Sequence, residues 1–81
     1  MRVRVRVFSA LRSRFGSSEV EVEVPDNATG AELLDLLVAE HPSFAPYRSI
    51  VRLAVNRRYT PEDVELGEDD EVALITPVSG G

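Results

Sequence analysis

Two short stretches of strict alternation limit what this chain can become more than any other part of it. Arg2-Val3-Arg4-Val5-Arg6-Val7 and Glu19-Val20-Glu21-Val22-Glu23-Val24 each repeat every second residue. That is the period of a strand and not of a helix, so valines fall on one face and charges on the other. The two charge rows have opposite sign. Antiparallel pairing sets Arg2, Arg4 and Arg6 across from Glu23, Glu21 and Glu19, each pair contributing roughly 0.2–1 kcal/mol at most. The intervening Ser9–Ser18 is long for a hairpin loop, and Ala10–Phe15 is predicted to form a helical turn before Gly16.

The valine face needs a cover, and the next segment supplies it. Pro25-Asp26-Asn27-Ala28 breaks the second strand, and Thr29-Gly30-Ala31-Glu32 has the spacing of a capping box that opens a helix running to about Glu40. Leu33, Leu34, Leu37 and Val38 fall on one side of that helix, with Leu36 beside them, which makes it a lid for the hairpin. Pro42 ends it, and Ser43–Ser49 reads as a loop plugged by Phe44 and Tyr47. Val51, Leu53 and Val55 then alternate with Arg52, Ala54 and Asn56 in a third strand, followed by a turn at Asn56-Arg57-Arg58. Thr60-Pro61-Glu62-Asp63 is expected to start a short helical turn capped by Thr60, with Val64 and Leu66 reaching the core. In the last strand, Glu71–Thr76, Val72 and Leu74 share one face while Ala73 and Ile75 share the other.

Strand, strand, helix, strand, turn, strand is the order of an α+β domain of the ubiquitin-like β-grasp type, a mixed sheet packed on one main helix. Residues 1–76 are expected to form that domain and residues 77–81 a flexible C-terminal tail. At 81 residues a chain buries only about 60–65% of the surface it exposes unfolded. The 25 Leu, Ile, Val and Phe residues, gathered in separated runs, suffice for one small core.

Composition removes most functional classes. Cysteine is absent, so there is no disulfide framework, thiolate nucleophile or thiolate metal site, which suits a cytoplasmic protein. Apolar runs fall well short of the roughly 18 residues of a membrane span, and no membrane partner is expected. The net charge is −5, and eight of the 14 acidic residues lie in Glu19–Glu23 and Glu65–Glu71; most of such a surface repels nucleic acid. His41 is the one histidine, set against Pro42 at a helix end, and reads as structural or solvent-facing, with no bound metal implied. Glu68-Asp69-Asp70-Glu71 lacks the spaced ligands and turn glycine of a calcium loop and reads as a solvated turn. No serine has a second candidate base to pair with, and no glycine-rich phosphate loop opens a helix. A self-contained active site is not expected.

The remaining candidate is the tail itself, Thr76-Pro77-Val78-Ser79-Gly80-Gly81. Glycine has no Cβ, so Gly80-Gly81 fits a narrow channel and adopts backbone angles closed to other residues. Pro77, lacking an N–H, is suited to end the strand's pairing and direct Val78, Ser79 and the glycines away from the sheet. A carboxylate at Gly81 is a poor electrophile until converted to an acyl-adenylate; sulfur attack then gives a thiocarboxylate, and amine attack gives an amide. All nine basic residues are Arg, so no lysine side chain is present for a chain-building modifier to extend from. The register also turns Phe8, Ala54 and Ile75 outward, where they are expected to form an apolar partner-binding patch near the base of the tail.

Ala54-Val55-Asn56, Asp70-Glu71-Val72-Ala73-Leu74 and Pro77-Val78-Ser79-Gly80-Gly81, with the Val-x-Val-x-x-Phe strand at the N-terminus, closely resemble the small subunit family of molybdopterin synthase over essentially the whole chain. The resemblance implies a sulfur carrier whose Gly81 is adenylated by a ubiquitin-activating-type enzyme that uses ATP, then converted to a thiocarboxylate. Inserted into the large synthase subunit, the tail would donate sulfur to the pterin precursor in molybdenum cofactor biosynthesis. On this reading the chain is a co-substrate and non-catalytic subunit, it binds no cofactor, and Phe8 and Ile75 fall where the family places apolar contacts. Thr76, Asp69 and Arg57 depart from the family's usual proline, turn glycine and small residue. A carrier serving thiamine, a tRNA base or cysteine, a ubiquitin-like protein modifier, and a plain interaction domain are the alternatives that the same tail leaves open.

Overall fold

The computed structural model describes residues 1–8 and 10–76. In chain order the elements are strand β1 (Arg2–Val7), helix α1 (Ala10–Phe15), strand β2 (Glu19–Glu23), helix α2 (Gly30–Glu40), a 3-10 helix (Pro42–Tyr47), and strands β3 (Arg52–Val55), β4 (Arg58–Thr60) and β5 (Glu71–Ile75). The five strands lie in one sheet in the order β2-β1-β5-β3-β4. β1 and β5 run parallel at its centre, and the other neighbours are antiparallel.

The β1–β2 register is the one the charges predict, with Arg2, Arg4 and Arg6 opposite Glu23, Glu21 and Glu19. The ion pairs themselves are diagonal. Arg2 reaches Glu21 at 3.7 Å, Arg4 reaches Glu19 at 3.3 Å, and Arg6 turns the other way to Glu71 on β5 at 3.4 Å. Charge alone does not choose this register, because a slip of two residues keeps Arg beside Glu and Val beside Val. Parallel pairing with β5 and the bonds closing both ends of the hairpin, Val24 N–H to Met1 O at 2.8 Å and Val7 N–H to Ser18 O at 3.0 Å, select it.

Helix α2 begins as its sequence dictates. The Thr29 side chain accepts from Glu32 N–H at 3.2 Å, and the Glu32 carboxylate accepts from Thr29 N–H at 2.9 Å, completing the capping box. Leu33, Leu34 and Leu37 are fully buried against Val3, Val5, Val7, Val22, Val72 and Leu74. Burial of that size gives about 1.5–3 kcal/mol per large side chain, which makes this layer the main source of cohesion. Gly30, the first helical residue, sits so close to β3 that a Cβ there would overlap Leu53 Cδ2 and lie 3.1 Å from Glu62 O. Its N–H donates to Val64 O, and Ala31 N–H donates to Glu62 O, tying the helix start to the 62–66 segment.

Four expectations need correction. Ser43–Ser49 is not a plain loop, because Pro42–Tyr47 winds into a 3-10 helix started by Pro42; Phe44 is fully buried there and packs 5.2 Å from Phe15. The turn after β3 uses only Asn56 and Arg57, both at positive φ, and Arg58 already opens β4, a strand that the sequence pattern does not reveal. Thr60 caps no helix: it ends β4, its hydroxyl has no hydrogen-bond partner among the described residues, and Pro61–Val64 forms a single turn. Ala54 faces the helix-free side of the sheet as parity requires, yet is only 6% exposed.

Candidate functional site

Pro77, Val78, Ser79, Gly80 and Gly81, the tail on which the chemistry was placed, lie outside the described residues. The structure does define the point from which they depart. β5 ends at Ile75 in the middle of the sheet, between β1 and β3.

The helix-free face around that point divides into two halves. On one side, Arg2, Arg4 and Arg6 are flanked by Glu19 and Glu21 and by the Glu68–Glu71 run, forming a shallow groove of about 530 Å³. Acids outnumber arginines there, and all three arginines are engaged in ion pairs, so the groove offers an anion little. The other side is mainly apolar, with exposed Arg52 standing opposite Ile75 at its border. Ala73, Ala54 and Tyr59 stand in one cross-strand row on β5, β3 and β4. One step toward the tail, Phe8 and Ile75 follow the last β1–β5 pair, Val7 with Leu74.

Of the three patch residues predicted, Phe8 is 42% exposed, Ile75 is partly buried, and Ala54 is covered. The correction for Ala54 is one of height: its methyl group barely rises above the backbone, between Ala73 and the far longer Tyr59, and so forms the floor of the patch. Sequence reasoning missed Tyr59, which is 66% exposed, because it missed β4. A signal was present: Asn56-Arg57 between two strand-like triplets is the spacing of a two-residue hairpin, for which Asn is a favoured first residue. At the edge of the patch the Arg6 guanidinium lies 5.8 Å from the Phe8 ring while paired with Glu71, leaving that border electrically quiet.

The start of β5 is held by Asn56. Its N–H donates to Glu71 O at 2.7 Å, its Oδ1 accepts from Glu71 N–H at 3.0 Å, and its Nδ2 donates to Asp70 Oδ1 at 2.9 Å. Asp70 Oδ2 in turn accepts from Gly67 N–H at 2.7 Å. The Val55-Asn56 and Asp70-Glu71 segments that look like a functional motif in sequence are therefore the clamp that fixes the strand carrying the tail. His41 meets Phe15 edge-on at 4.7 Å, a packing role. Among the described residues no cluster of His, Asp and Glu is arranged to hold a metal ion, and no helix is long and apolar enough to cross a membrane.

Comparison with known proteins agrees with this geometry. The sequence profile of the ThiS family matches residues 5–81. The molybdopterin synthase sulfur carrier subunit of Chlamydomonas reinhardtii is 36% identical over 83 aligned residues, covering 100% of both chains. Among solved structures, SAMP1 from Haloferax volcanii superposes with a TM-score of 0.87 at 29% identity, covering 100% of each chain. A putative molybdopterin converting factor subunit 1 from Pyrococcus furiosus gives 0.87 at 30% identity, covering 96% of this chain and 99% of its own.

Proposed function

Because the chain belongs to the ThiS family, we propose that it is a sulfur carrier and the small subunit of molybdopterin synthase, with Gly81 as its reacting residue. The observation that carries this reading is full-length likeness to a molybdopterin synthase sulfur carrier subunit, on a fold whose central strand leads directly into Pro77-Val78-Ser79-Gly80-Gly81. In the first step the Gly81 carboxylate attacks the α-phosphorus of ATP on a ubiquitin-activating-type enzyme, and pyrophosphate leaves. Sulfur delivered at the oxidation level of hydrosulfide then attacks the acyl carbon, AMP departs with the bonding pair of the C–O bond, and loss of the S–H proton to solvent leaves a thiocarboxylate. The patch of Phe8, Ile75 and Tyr59 over the Ala54 floor is the docking face for that enzyme and, afterwards, for the large subunit in which the pterin precursor receives the sulfur. Domain 1–76 is the rigid handle in this scheme, and residues 77–81 are the part that enters the partner.

The test is to incubate the protein with ATP, the adenylating partner and a sulfur donor, and to read the intact mass. Replacement of one oxygen by sulfur is expected, and deleting Gly81 or adding one residue after it should abolish the change while leaving thermal unfolding nearly unaltered. Sulfuration of the deleted protein, or accumulation in cells of amide conjugates in place of the free carrier, would overturn the assignment.

A further inference from the structure

A partner that closes over an apolar patch must also take out of water any charge that stands within its outline. Phe8 follows Val7, which pairs with Leu74, and Arg52 is the cross-strand partner of Ile75, so Phe8, Ile75 and Arg52 form one row across β1, β5 and β3 on the helix-free face. The next row holds Ala73, Ala54 and Tyr59. Arg52 lies two residues from Ala54 along β3 and is therefore the diagonal neighbour of Tyr59, a separation of about 7–8 Å in a sheet. It occupies the corner between Ile75 and Tyr59, and a surface that covers both of those side chains covers Arg52 as well.

Two guanidinium groups border the patch, and their situations differ. Arg6 is met inside the domain by Glu71 at 3.4 Å while it lies 5.8 Å from the Phe8 ring. Arg52 is exposed and makes no ion pair among the described residues. Residues 52–60, the β3–β4 hairpin that carries it, include no acid, and its cross-strand partner Ile75 is apolar, so neither supplies a counter-charge. In water an unpaired guanidinium is solvated at no cost. Under a partner the balance changes: left without a carboxylate it opposes association, and given one it forms a charge-assisted, often bidentate pair.

Taking the patch as the docking face for the large synthase subunit, as above, we infer that Arg52 is a specificity-determining residue of that face, and that the large subunit meets it with an aspartate or glutamate carboxylate set among the contacts to Ile75 and Tyr59. The pair selects for a partner with an acid in that place. It also selects against surfaces that are apolar or basic there, because the first leaves the guanidinium buried alone and the second sets it beside a like charge. Arg6 needs no such partner, since Glu71 already meets its charge.

The test is the kinetics of binding to the large subunit, read by surface plasmon resonance for the full chain as wild type, Arg52→Gln, Arg52→Leu, Arg52→Lys and Arg58→Gln. Arg58 is also exposed, but it alternates with Tyr59 on β4 and so lies on the other face of the sheet; its variant controls for the loss of one charge. With native circular dichroism in every variant, Arg52→Gln and Arg52→Leu should each raise Kd about tenfold or more, chiefly through faster dissociation, as on removing one member of a buried charge pair. Arg52→Lys should recover part of the loss, and Arg58→Gln should stay within about twofold of wild type. An Arg52→Leu protein that binds as tightly as wild type would show an apolar site opposite residue 52 and overturn the inference. So would an Arg52→Gln loss that matches Arg58→Gln or falls only on the association rate. A wild type that does not bind the large subunit would overturn the docking reading together with the inference, and the wild type alone thus tells the two failures apart.

Discussion

Asn56 and Asp70, 14 residues apart in sequence, are joined by a 2.9 Å hydrogen bond from Nδ2 to Oδ1 that links the β3–β4 hairpin to the turn before β5. The bond belongs to a closed set, since Asn56 also pairs with the Glu71 backbone and Asp70 accepts from Gly67 N–H. Asn56→Ala and Asp70→Ala should each lower the stability to urea by about 1–2 kcal/mol. Because they break one network, the double variant should lose less than the sum. Strict additivity in the cycle would show that the two side chains act separately.

Arg57 occupies the second turn position at φ 69, after Asn56 at φ 53. A two-residue hairpin with both angles positive strongly favours glycine at that second place. Arg57→Gly should therefore raise the unfolding midpoint, with a gain of about 0.5–1 kcal/mol after the greater freedom of unfolded glycine is deducted. A lower midpoint would mean that the arginine side chain holds the turn by contacts of its own.

Gly30 has no room for a Cβ between Leu53 and the Glu62 carbonyl. Gly30→Ala should cost about 1–3 kcal/mol by overpacking, despite the better helix propensity of alanine. Combining it with Leu53→Val, which removes the obstructing Cδ2, should recover part of the loss. Chemical denaturation of the three variants decides the matter, and an unchanged Gly30→Ala protein would contradict the close approach.

Phe8→Arg and Tyr59→Arg change side chains that are 42% and 66% exposed, so each should keep the native circular dichroism spectrum. Calorimetry against the large synthase subunit should show binding weakened by at least about 1–2 kcal/mol for each, as expected on losing an interface anchor. Native affinity in both folded variants would remove the patch from the docking face.

What could be read from the sequence was what repeats or caps locally. The β1–β2 pairing and its faces were legible because Val and charge alternate without a break, and the start of α2 was legible from Thr29 and Glu32, its extent from the leucine face and Pro42. β4 was not, since three residues are too few to show a period, and its only mark was the Asn at the preceding turn. The 3-10 helix escaped for a related reason: Pro42 and Pro46 argue against an α-helix but do not announce a tighter one. Parity correctly assigned Ala54 to the outer face but could not say how far its side chain would project, which depends on Tyr59 across the strand gap. The role of Asn56 was hidden because its partners, Asp70 and Glu71, are brought to it only by the fold.

β5 is the last of the five strands in chain order, yet it lies between β1 and β3, which meet only through it. Without this strand the β1–β2 and β3–β4 pairs have no hydrogen-bonded connection within the sheet. The strand that makes the connection is also the one that leads out to the terminal glycines. Loss of β5 would therefore remove at once the strand that joins the two halves of the sheet and the root of the tail.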